Sequence, residues 1–522
     1  MTEEHHSTEQ QLRENRIEKM ARFRERGDEP FKYSFARTHS IAEARAAFLE
    51  AEAASDEPEQ VSVETAVAGR MVALRGQGKV TFADLRDESD RIQIFFRGAE
   101  LGEAAYEQLK DLDIGDFLGI EGAVFRTRRG EVTVRATKYT LLSKSLRPLP
   151  EKWHGLTDVE TRYRQRYLDM VANPEVLETF RRRSAIIATL RQWLTARGFL
   201  EVETPMLHYI PGGATARPFI THHNTFDRDF YLRIAPELHL KRLLVGGFEK
   251  VFEINRSFRN EGVDTLHNPE FTMMELYEAY QDYLGLMDET EEMLAHVARE
   301  ITGSTTFDYQ GQTVDMTRPW KRISLFDAIR EYAGIDLEPH RNDRNAAAEL
   351  AKQAGCVVED SMGFGKIVDE VMSEKVKPHL RQPTFLYDYP VELSPLAKKK
   401  RGAPHLTERF QLFVAGMEMT NAFSELNDPI DQRERFMEQV RLRERGDEEA
   451  QHLDEDYLVA LEVGMPPAAG LGIGIDRLTM LLTNQASIRE VILFPQLRVI
   501  EATAKLELPH PSVDAKGTVE TS

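Results

Sequence analysis

Residues 251–280 read VFEINRSFRNEGVDTLHNPEFTMMELYEAY, and the fold of the larger part of the chain follows from this stretch. It predicts two β-strands joined by a long polar loop. With a side-chain period of two, Glu275 and Tyr277 share one strand face with Phe271 and Met273. Such a face is either a solvent-exposed sheet surface or the lining of a polar pocket, because a core strand rarely carries an acid and a phenol together.

A second strand repeats this arrangement in GMEMTNAFSELND, residues 416–428, where Asn421, Phe423 and Glu425 lie on one face. If the two strands line one cavity, Glu425 lies there together with Glu275 and Tyr277. Adjacent carboxylates repel each other unless a cation lies between them. We therefore expect a ligand with an ammonium or guanidinium end.

A third run, GLGIGIDR at residues 470–477, suggests nucleotide chemistry without the usual nucleotide motifs. It does not match the dinucleotide fingerprint, because the third glycine position is occupied by Ile475 or Arg477, and the chain contains no GxxxxGK[ST]. By itself the run is also typical of a close-packed strand. At the junction of strand and helix, however, the Arg477 guanidinium can stack on a base or bind phosphate.

The strands of this larger part are far apart in sequence, which predicts a large mixed sheet rather than repeated βαβ units. A long helix is expected before them, with Asn173 as its cap, Pro174 in its first turn and Gly198 after its end. Helical material is expected near 323–378. The apolar stripe of the long helix consists of Val176, Leu177, Phe180, Ile187, Leu190 and Leu194.

The N-terminal part has a different pattern. Residues 1–60 predict a helical extension, and 61–147 predict five short strands separated by turns. Five strands in so short a segment suggest a small closed barrel, of which the OB-fold is the commonest kind. We expect a linker at 148–172 and a disordered tail at 501–522.

Composition limits the class of protein. The chain has 522 residues, 41% apolar and 30% charged, which indicates two or three globular domains and excludes disorder as a whole. A single cysteine, Cys356, excludes an intrachain disulfide and a cysteine-based metal site. Neither a membrane-spanning apolar run nor a signal core occurs, so a cytoplasmic location is expected. The net charge of −20 disfavours nucleic acid, but 61–147 is nearly neutral, which leaves local binding there open.

These motifs closely resemble the class II lysyl-tRNA synthetases of the bacterial type, from the helical N-terminus to about Pro495. FLEVETPML resembles motif 1 of the class, FRNEG with HNPEF resembles motif 2, and GLGIGIDR resembles motif 3. GGATARPF, APELHLKRL and SELNDP are similar to the lysine branch rather than to the aspartate and asparagine branches. The resemblance implies a multidomain α+β protein. It would have a five-stranded anticodon-binding OB-fold barrel and, at 173–500, a catalytic domain with a mainly antiparallel sheet flanked by helices.

The activity implied by the resemblance is ATP-dependent ligation of L-lysine to tRNA(Lys). Lysyl-adenylate would be the intermediate, with release of AMP and pyrophosphate. The family uses Mg²⁺ and forms homodimers, and the long helix with the strand at Pro205 resembles its dimer element.

The resemblance also implies roles for nucleotide-binding residues. Arg259 would bind the α-phosphate and the amino-acid carboxylate, and is the catalytic arginine together with Arg477. His267 and Glu261 would position the triphosphate and the adenine edge. Adenine would lie between the Phe271 ring and the Arg477 guanidinium.

In the implied lysine pocket, the α-amino group would meet Glu237 and the backbone of Gly213. The ε-ammonium would meet Glu425, Tyr277 and Glu275, in agreement with the charge argument above. Asn421 and Phe423 would complete the pocket.

The implied magnesium ligand is Glu418, which has the opposite strand parity to Asn421 and so requires a bend near Met419 and Thr420. Gln411 occupies a place where the family pattern has an acidic metal ligand. A carboxamide oxygen can coordinate Mg²⁺ but adds no charge.

For the barrel, the resemblance implies that Phe82 stacks on an anticodon base and that Arg70, Gln93 and Glu131 read base edges. The alternative is that Phe82 is a barrel core residue, since strand aromatics are usually buried. The basic run 398–401 is either a solvated loop or a contact to acceptor-stem phosphate.

Three other interpretations remain. An aspartyl- or asparaginyl-tRNA synthetase has the same architecture, but Glu275 with Glu425 has the wrong charge for its substrate. A lysine ligase acting on a protein would consist of the catalytic domain alone, and the barrel at 61–147 argues against it. A non-catalytic paralogue would require loss of a catalytic arginine, yet Arg259 and Arg477 are both present.

Overall fold

The computed structural model of the chain describes residues 3–77, 80–150, 156–447 and 449–498. The chain forms two compact units, residues 1–157 and 158–522. The expected tail at 501–522 lies outside the described residues.

The first unit contains a closed five-stranded barrel, which confirms the OB-fold prediction. Its strands pair in the order β1-β2-β3-β5-β4, and all pairs except β3–β5 are antiparallel. The strands are β1 (Val63–Gln77), β2 (Val80–Arg86), β3 (Arg91–Arg97), β4 (Phe117–Arg126) and β5 (Val132–Ser143).

The helices of this unit pack on the barrel. Phe23 of the first helix and Ile41 and Phe48 of the second are buried in the same core cluster as the barrel strands. The two helices of the predicted extension at 1–60 therefore pack on the barrel core. The helices are α1 (Glu3–Glu25), α2 (Ile41–Ala53), α3 (Gly98–Leu101) and α4 (Glu103–Glu107).

The second unit is built on one large sheet, as its interrupted strands predict. Its main path runs β14-β15-β17-β18-β19-β11-β10-β6, and β16 pairs with β17. Only β14–β15 and β10–β6 are parallel, so the sheet is mainly antiparallel. Its strands are β6 (Leu200–Glu201), β10 (Lys250–Phe258), β11 (Glu270–Ala279), β14 (Lys321–Ser324), β15 (Thr384–Pro390), β16 (Lys399–Lys400), β17 (Ala403–Val414), β18 (Met417–Ser424) and β19 (Ala468–Gly474).

Two smaller sheets and twelve helices complete the described part of this unit. The small sheets are β7 (Leu207–His208), β8 (Ile220–His223) and β9 (Arg228–Leu232), and β12 (Thr306–Tyr309) with β13 (Gln312–Asp315). The helices are α5 (Val159–Arg164), α6 (Arg166–Ala172), α7 (Glu175–Thr195), α8 (Glu237–Val245), α9 (Tyr283–Thr302), α10 (Leu325–Ala333), α11 (Arg344–Gln353), α12 (Phe364–Val371), α13 (Pro429–Glu444), α14 (Glu455–Val463), α15 (Ile475–Leu482) and α16 (Ile488–Val491). No helix in these described segments is long and apolar enough to cross a bilayer.

Several expected boundaries differ from the structure. The expected linker at 148–172 includes α5 and α6. Pro174, not Asn173, is the residue at the start of α7, and the Asn173 side chain donates to Asp169 instead. The expected helical insertion corresponds to α10, α11 and α12, which share a core of their own with Cys356.

The apolar stripe of α7 faces the core of its own unit. Leu190 and Leu194 are fully buried with the sheet residues and α9, and Ile187 packs against the same cluster. The stripe is thus covered in part within the chain: Val176, Leu190 and Leu194 are buried, whereas Leu177, Phe180 and Ile187 are half-buried. Burial in a dimer is not the only use for it.

Candidate active site

A cavity of about 380 Å³ opens over one face of the large sheet. Its walls come from β11, β17, β18, β19 and the start of α8 and α15. Glu425 is not part of the lining. Of the nucleotide, lysine and metal residues predicted from the sequence, the structure places in the lining Gly213, Glu237, Arg259, Glu261, His267, Phe271, Glu275, Tyr277, Glu418, Asn421, Phe423 and Arg477.

The floor of the cavity is the glycine strand β19. Gly472 is the cross-strand partner of Glu275 on one side and of Asn421 on the other. Gly470 pairs in the same way with Tyr277 and Phe423. The residues of β19 that point into the cavity are glycines. Open space therefore remains between the side chains of β11 and those of β18. Glycines at alternate positions of a strand were the sequence signal for this floor.

At the closed end, Tyr277 donates a hydrogen bond to Oε2 of Glu275 over 3.0 Å. Burial, and after it the nearby charge of Glu237, raises the pKa of Glu275 to about 8. Burial also raises the pKa of Glu425 well above its usual value. A cationic ligand would reverse both effects, because it stabilises ionised carboxylates.

Glu425 approaches this end beside Gly470 and the Tyr277 ring. It is 1% exposed, and its Oε1 has no hydrogen-bond partner among the described residues. A Cβ atom placed on Gly470 would lie 2.2 Å from that oxygen and 2.4 Å from the Tyr277 ring. Only glycine at position 470 therefore leaves Glu425 close to the cavity.

The other wall is formed where Gly213 approaches α8. Gly213 has φ +87, a left-handed conformation that favours glycine. A Cβ atom there would lie 3.0 Å from the Cβ of Glu237. The backbone of Gly213 and the carboxylate of Glu237 thus lie together, as the resemblance implies for the α-amino subsite.

At the open end lie the arginines. The Arg259 guanidinium lies over the Phe271 ring, 5.1 Å from its centroid. Arg477 donates to the Glu418 carbonyl oxygen and to Nε2 of His267, each over 3.0 Å. A guanidinium only donates, so Nε2 of His267 accepts and the ring proton lies on Nδ1, facing Asp264 at 2.8 Å.

Glu418 reaches the cavity through a register shift. Leu412 pairs with Thr420 and Phe413 pairs with Glu418, which leaves Met419 unpaired in a bulge. The extra residue reverses the strand parity, and the bulge lies where the sequence required a bend.

Gln411 lines the same cavity and is 6% exposed. Its Oε1 is buried without a hydrogen-bond partner among the described residues. Glu408, a conceivable substitute for an acid at this position, is outside the lining and binds Arg401 and Ser424. A free carboxamide oxygen beside one carboxylate fits an Mg²⁺ ion that also uses phosphate and water ligands. Clusters of three or more acidic, histidine or cysteine ligands do not occur in the described segments.

The comparisons with known proteins agree with this geometry. A family model described as tRNA synthetases class II (D, K and N) matches residues 158–498, and one described as OB-fold nucleic acid binding domain matches 65–142. A lysine–tRNA ligase of Carboxydothermus hydrogenoformans is 57% identical over 484 residues, covering 92% of this chain and 97% of its own. A lysine–tRNA ligase of Bacillus subtilis is 52% identical over 501 residues, covering 95% and 100%.

The chain belongs to the class II lysyl-tRNA synthetase family. The resemblance found in the sequence is thus confirmed, and so are the fold class and the OB-fold barrel. The roles of individual residues in this synthetase stay predictions.

The outer face of the synthetase's barrel carries an aromatic row. The rings of Phe82 and Phe95 lie 5.2 Å apart, and Phe125 continues the row 6.3 Å from Phe95. Phe82 is half-buried and lies outside the barrel's core cluster, so the core interpretation of Phe82 is wrong. Sequence reasoning missed Phe95 and Phe125, although alternation along β3 and β4 could have placed them on this face.

The other barrel candidates are arranged differently around that row. Gln93 lies on β3 two residues before Phe95 and accepts a hydrogen bond from Thr133, and Glu131 is exposed just before β5. Arg70 donates to the Gly115 carbonyl and lies over the Phe117 ring. Arg70 is thus held by the barrel itself.

Two further findings concern basic residues of this synthetase. Arg409, which sequence reasoning missed, lines the cavity and donates to Oδ1 of Asn421 over 2.8 Å, so it fixes that amide. The basic run 398–401 is engaged by its own chain: Lys399 pairs with Asp431, Lys400 with Asp388, and Arg401 with Glu408 and Asp282, while Lys398 donates to Asn427. These contacts argue against a free phosphate-binding loop.

Proposed function

We propose that this protein catalyses ATP-dependent ligation of L-lysine to tRNA(Lys) in protein biosynthesis, through a lysyl-adenylate intermediate. The single observation that carries the proposal is the polarity of the cavity. One end holds buried carboxylates and a phenol, and the other holds two arginines, a histidine and an aromatic ring. Such a cavity accepts an ammonium at one end and a nucleotide at the other.

The residue roles are those that the family resemblance implies, and the polarity of the cavity supports them. Glu237 and the backbone of Gly213 hold the α-amino group, while Glu275, Tyr277 and Glu425 hold the ε-ammonium. Asn421, fixed by Arg409, and the ring of Phe423 complete the lysine pocket.

At the nucleotide end, Arg259 binds the α-phosphate and the lysine carboxylate. Adenine stacks on Phe271, with Arg477 on its other face. Glu261 and His267 contact the adenine edge and the triphosphate. The 5.1 Å contact of Arg259 with Phe271 supports this assignment because it brings the cation next to the proposed base site.

The chemistry needs no covalent enzyme intermediate. A lysine carboxylate oxygen attacks the α-phosphorus, a new O–P bond forms, and the bond to pyrophosphate breaks. A terminal ribose hydroxyl of tRNA then attacks the activated carbonyl and AMP leaves. Positioning and charge stabilisation by Arg259 and Arg477 supply the catalysis.

Magnesium is the proposed cofactor, with Glu418 and Gln411 as its protein ligands. When bound, it neutralises phosphate charge. The buried, unpartnered Oε1 of Gln411 supports this assignment.

The barrel's aromatic row supports tRNA binding through the anticodon. Arg75 and Arg91 flank the row by pairing with Asp84, and basic groups beside stacked rings are typical of single-stranded nucleic-acid surfaces. Phe82, Gln93 and Glu131 are the proposed base contacts, and Arg70 positions the surface. The proposed location is the cytoplasm, where tRNA charging takes place.

We also infer a homodimer, on grounds other than the stripe of α7. Large apolar side chains are exposed together on the three-stranded sheet and the loops beside it. They are Leu207, Tyr209 and Phe226, on the face of Phe230 and Leu232, whereas the exposed Ile220 pairs with Tyr231 and lies on the other face. An exposed apolar surface is typical of protein interfaces, and a two-fold dimer would bury the same surface of both copies. Sedimentation showing an active monomer at micromolar concentration would contradict the dimer.

ATP–pyrophosphate exchange against all twenty amino acids tests the proposed function. We expect exchange with lysine alone. Exchange with aspartate or asparagine would favour the related synthetases, and no exchange with any amino acid would favour a non-catalytic protein. Charging of tRNA(Lys) in the same preparation separates tRNA ligation from ligation to a protein.

A further inference from the structure

Lys241 is a fully buried cation on α8 with two carboxylate partners. Its Nζ lies 2.7 Å from Oε1 of Glu237, one helical turn earlier, and it also forms an ion pair with Oε2 of Glu425. The ring centroid of Phe423 lies 5.3 Å from the same nitrogen. A buried ammonium is costly unless it is paired, so these contacts fix its position.

The ammonium lies behind the cavity wall. Glu237 and Phe423 line the cavity, whereas Lys241 does not. A ligand in the cavity therefore meets the carboxylates and not the Lys241 ammonium. Oε1 of Glu425 stays without a hydrogen-bond partner among the described residues and faces Gly470 in the cavity floor.

The closed end of the cavity carries more buried carboxylates than cations. Three buried carboxylates, those of Glu237, Glu275 and Glu425, surround the pocket, and Lys241 compensates one of them. Two negative charges remain on these four groups when all of them are ionised, and the Arg409 guanidinium, which lines the cavity and donates to Asn421, is not part of this count. Free lysine carries two ammonium groups, and its carboxylate faces Arg259 in the proposed function. Without Lys241 the pocket would hold one carboxylate more than the substrate has ammonium groups.

We propose that Lys241 is a positioning residue: its fixed ammonium stabilises the ionised forms of Glu237 and Glu425 and thereby matches the charge of the pocket to a diamino acid. The proposal rests on the proposed function. Burial lowers the pKa of Lys241, but the charges of the two acids raise it more. Burial raises the pKa values of Glu237 and Glu425, for Glu425 together with the charges of Glu237 and Glu275, and Lys241 lowers both. Removal of the ammonium therefore leaves carboxyl groups that take up a proton in the empty pocket.

The proton balance of lysine binding depends on every charged group near Lys241. From α8 these are Glu237 and Arg242, and from β11 they are Glu275 and Tyr277. Arg409 comes from β17 and Tyr457 from α14, and Glu425 follows β18. Of these, the three carboxyl groups have pKa values raised by burial, so they are the groups expected to release protons when an ammonium binds.

The test uses the full-length protein and the variant Lys241→Met, which keeps a long unbranched side chain. Calorimetric titration with lysine near pH 7, in two buffers of different ionisation enthalpy, measures the protons released on binding. We expect the variant to release up to one proton more than the wild type. Its KM for lysine should be about tenfold higher near pH 7, the difference from the wild type should shrink as the pH rises, and KM for ATP should be unchanged. An unchanged proton count, or equal losses for lysine and ATP, would overturn the proposal.

A second comparison covers the case in which Lys241→Met by itself does not fold. Glu237→Gln and Lys241→Met/Glu237→Gln differ only in the Lys241 ammonium. The double variant has lost one acid together with the cation, so it leaves fewer unpaired acids in the pocket than Lys241→Met does. We expect more protons released by the double variant than by Glu237→Gln, and equal counts would overturn the proposal. Lysine-dependent exchange by the wild type is the separate control, because its absence would contradict the proposed function whatever Lys241 does.

Discussion

The Tyr277 hydroxyl donates a hydrogen bond of 3.0 Å to Oε2 of Glu275 at the closed end of the cavity, and both side chains are buried. Because burial raises the pKa of Glu275 to about 8, the empty pocket holds this carboxyl protonated near neutral pH. An ammonium ligand needs the ionised carboxylate. Binding of lysine is therefore coupled to loss of a proton from Glu275.

KM for lysine should consequently fall as the pH rises towards 8 and level off above it. The ionised fraction of Glu275 grows about tenfold per pH unit below its pKa, while the ε-ammonium stays charged. The other groups that act on Glu275 are Glu237, Tyr277, Arg233 and Arg259. Steady-state exchange between about pH 6 and about pH 9 measures the slope, with KM for ATP as the internal control. If Glu275→Gln keeps the slope, another group carries the proton.

The glycines of the floor give a graded series of substitutions. A Cβ atom would lie 2.2 Å from Oε1 of Glu425 at position 470, 3.4 Å from the nearest atom at 472 and 3.8 Å at 474. Gly470→Ala should therefore raise KM for lysine by about tenfold or more, since it displaces a charged contact worth about 1.5 to 3 kcal/mol. Gly474→Ala is the matched control on the same strand, and binding of lysine by calorimetry compares the two. Equal effects at 470 and 474 would show that the spacing has no role.

Strand periodicity was the reliable signal in this sequence. It placed Glu275 with Tyr277 and Asn421 with Phe423 on faces that the structure brings to one cavity. Side-chain alternation is a local property of extended backbone, so distant contacts do not change it. The bulge at Met419 could also be anticipated, because Glu418 could reach that face in no other way.

Contacts that depend on the register of distant segments could not be predicted. The ion pair of Lys241 with Glu425 joins residues far apart in the chain, and neither residue's neighbours indicate the other. The stripe of α7 shows a different limit: its pattern requires burial of Leu190 and Leu194 but does not say whether the apolar partner is the same chain or a second copy. In the structure, Leu190 and Leu194 are buried against residues of the same chain.

The aromatic row of the barrel predicts a separation of the two activities. Phe82→Ala should weaken charging of tRNA, because stacking contributes about 1 to 3 kcal/mol only when RNA is bound. Lysine-dependent pyrophosphate exchange should stay unchanged. Phe96→Ala is the control, since Phe96 is fully buried in the barrel core and its loss should lower the melting temperature. Equal melting losses in both variants would instead make Phe82 a structural residue.

Gln411 and Glu418 predict an unusual dependence on magnesium. Glu418 is the only carboxylate assigned to the metal here, and the Gln411 oxygen adds a ligand without charge. ATP phosphates must then supply more of the coordination. We expect little Mg²⁺ binding without ATP, and an activity optimum at higher free Mg²⁺ than in Gln411→Glu. Calorimetry with Mg²⁺ alone and with ATP present measures binding directly, and exchange titrated against free Mg²⁺ measures its consequence. Glu408 is bound to Arg401 and Ser424, so it is not expected to replace the missing charge. Coincident curves for the two proteins would show that the carboxamide serves the metal as well as a carboxylate does.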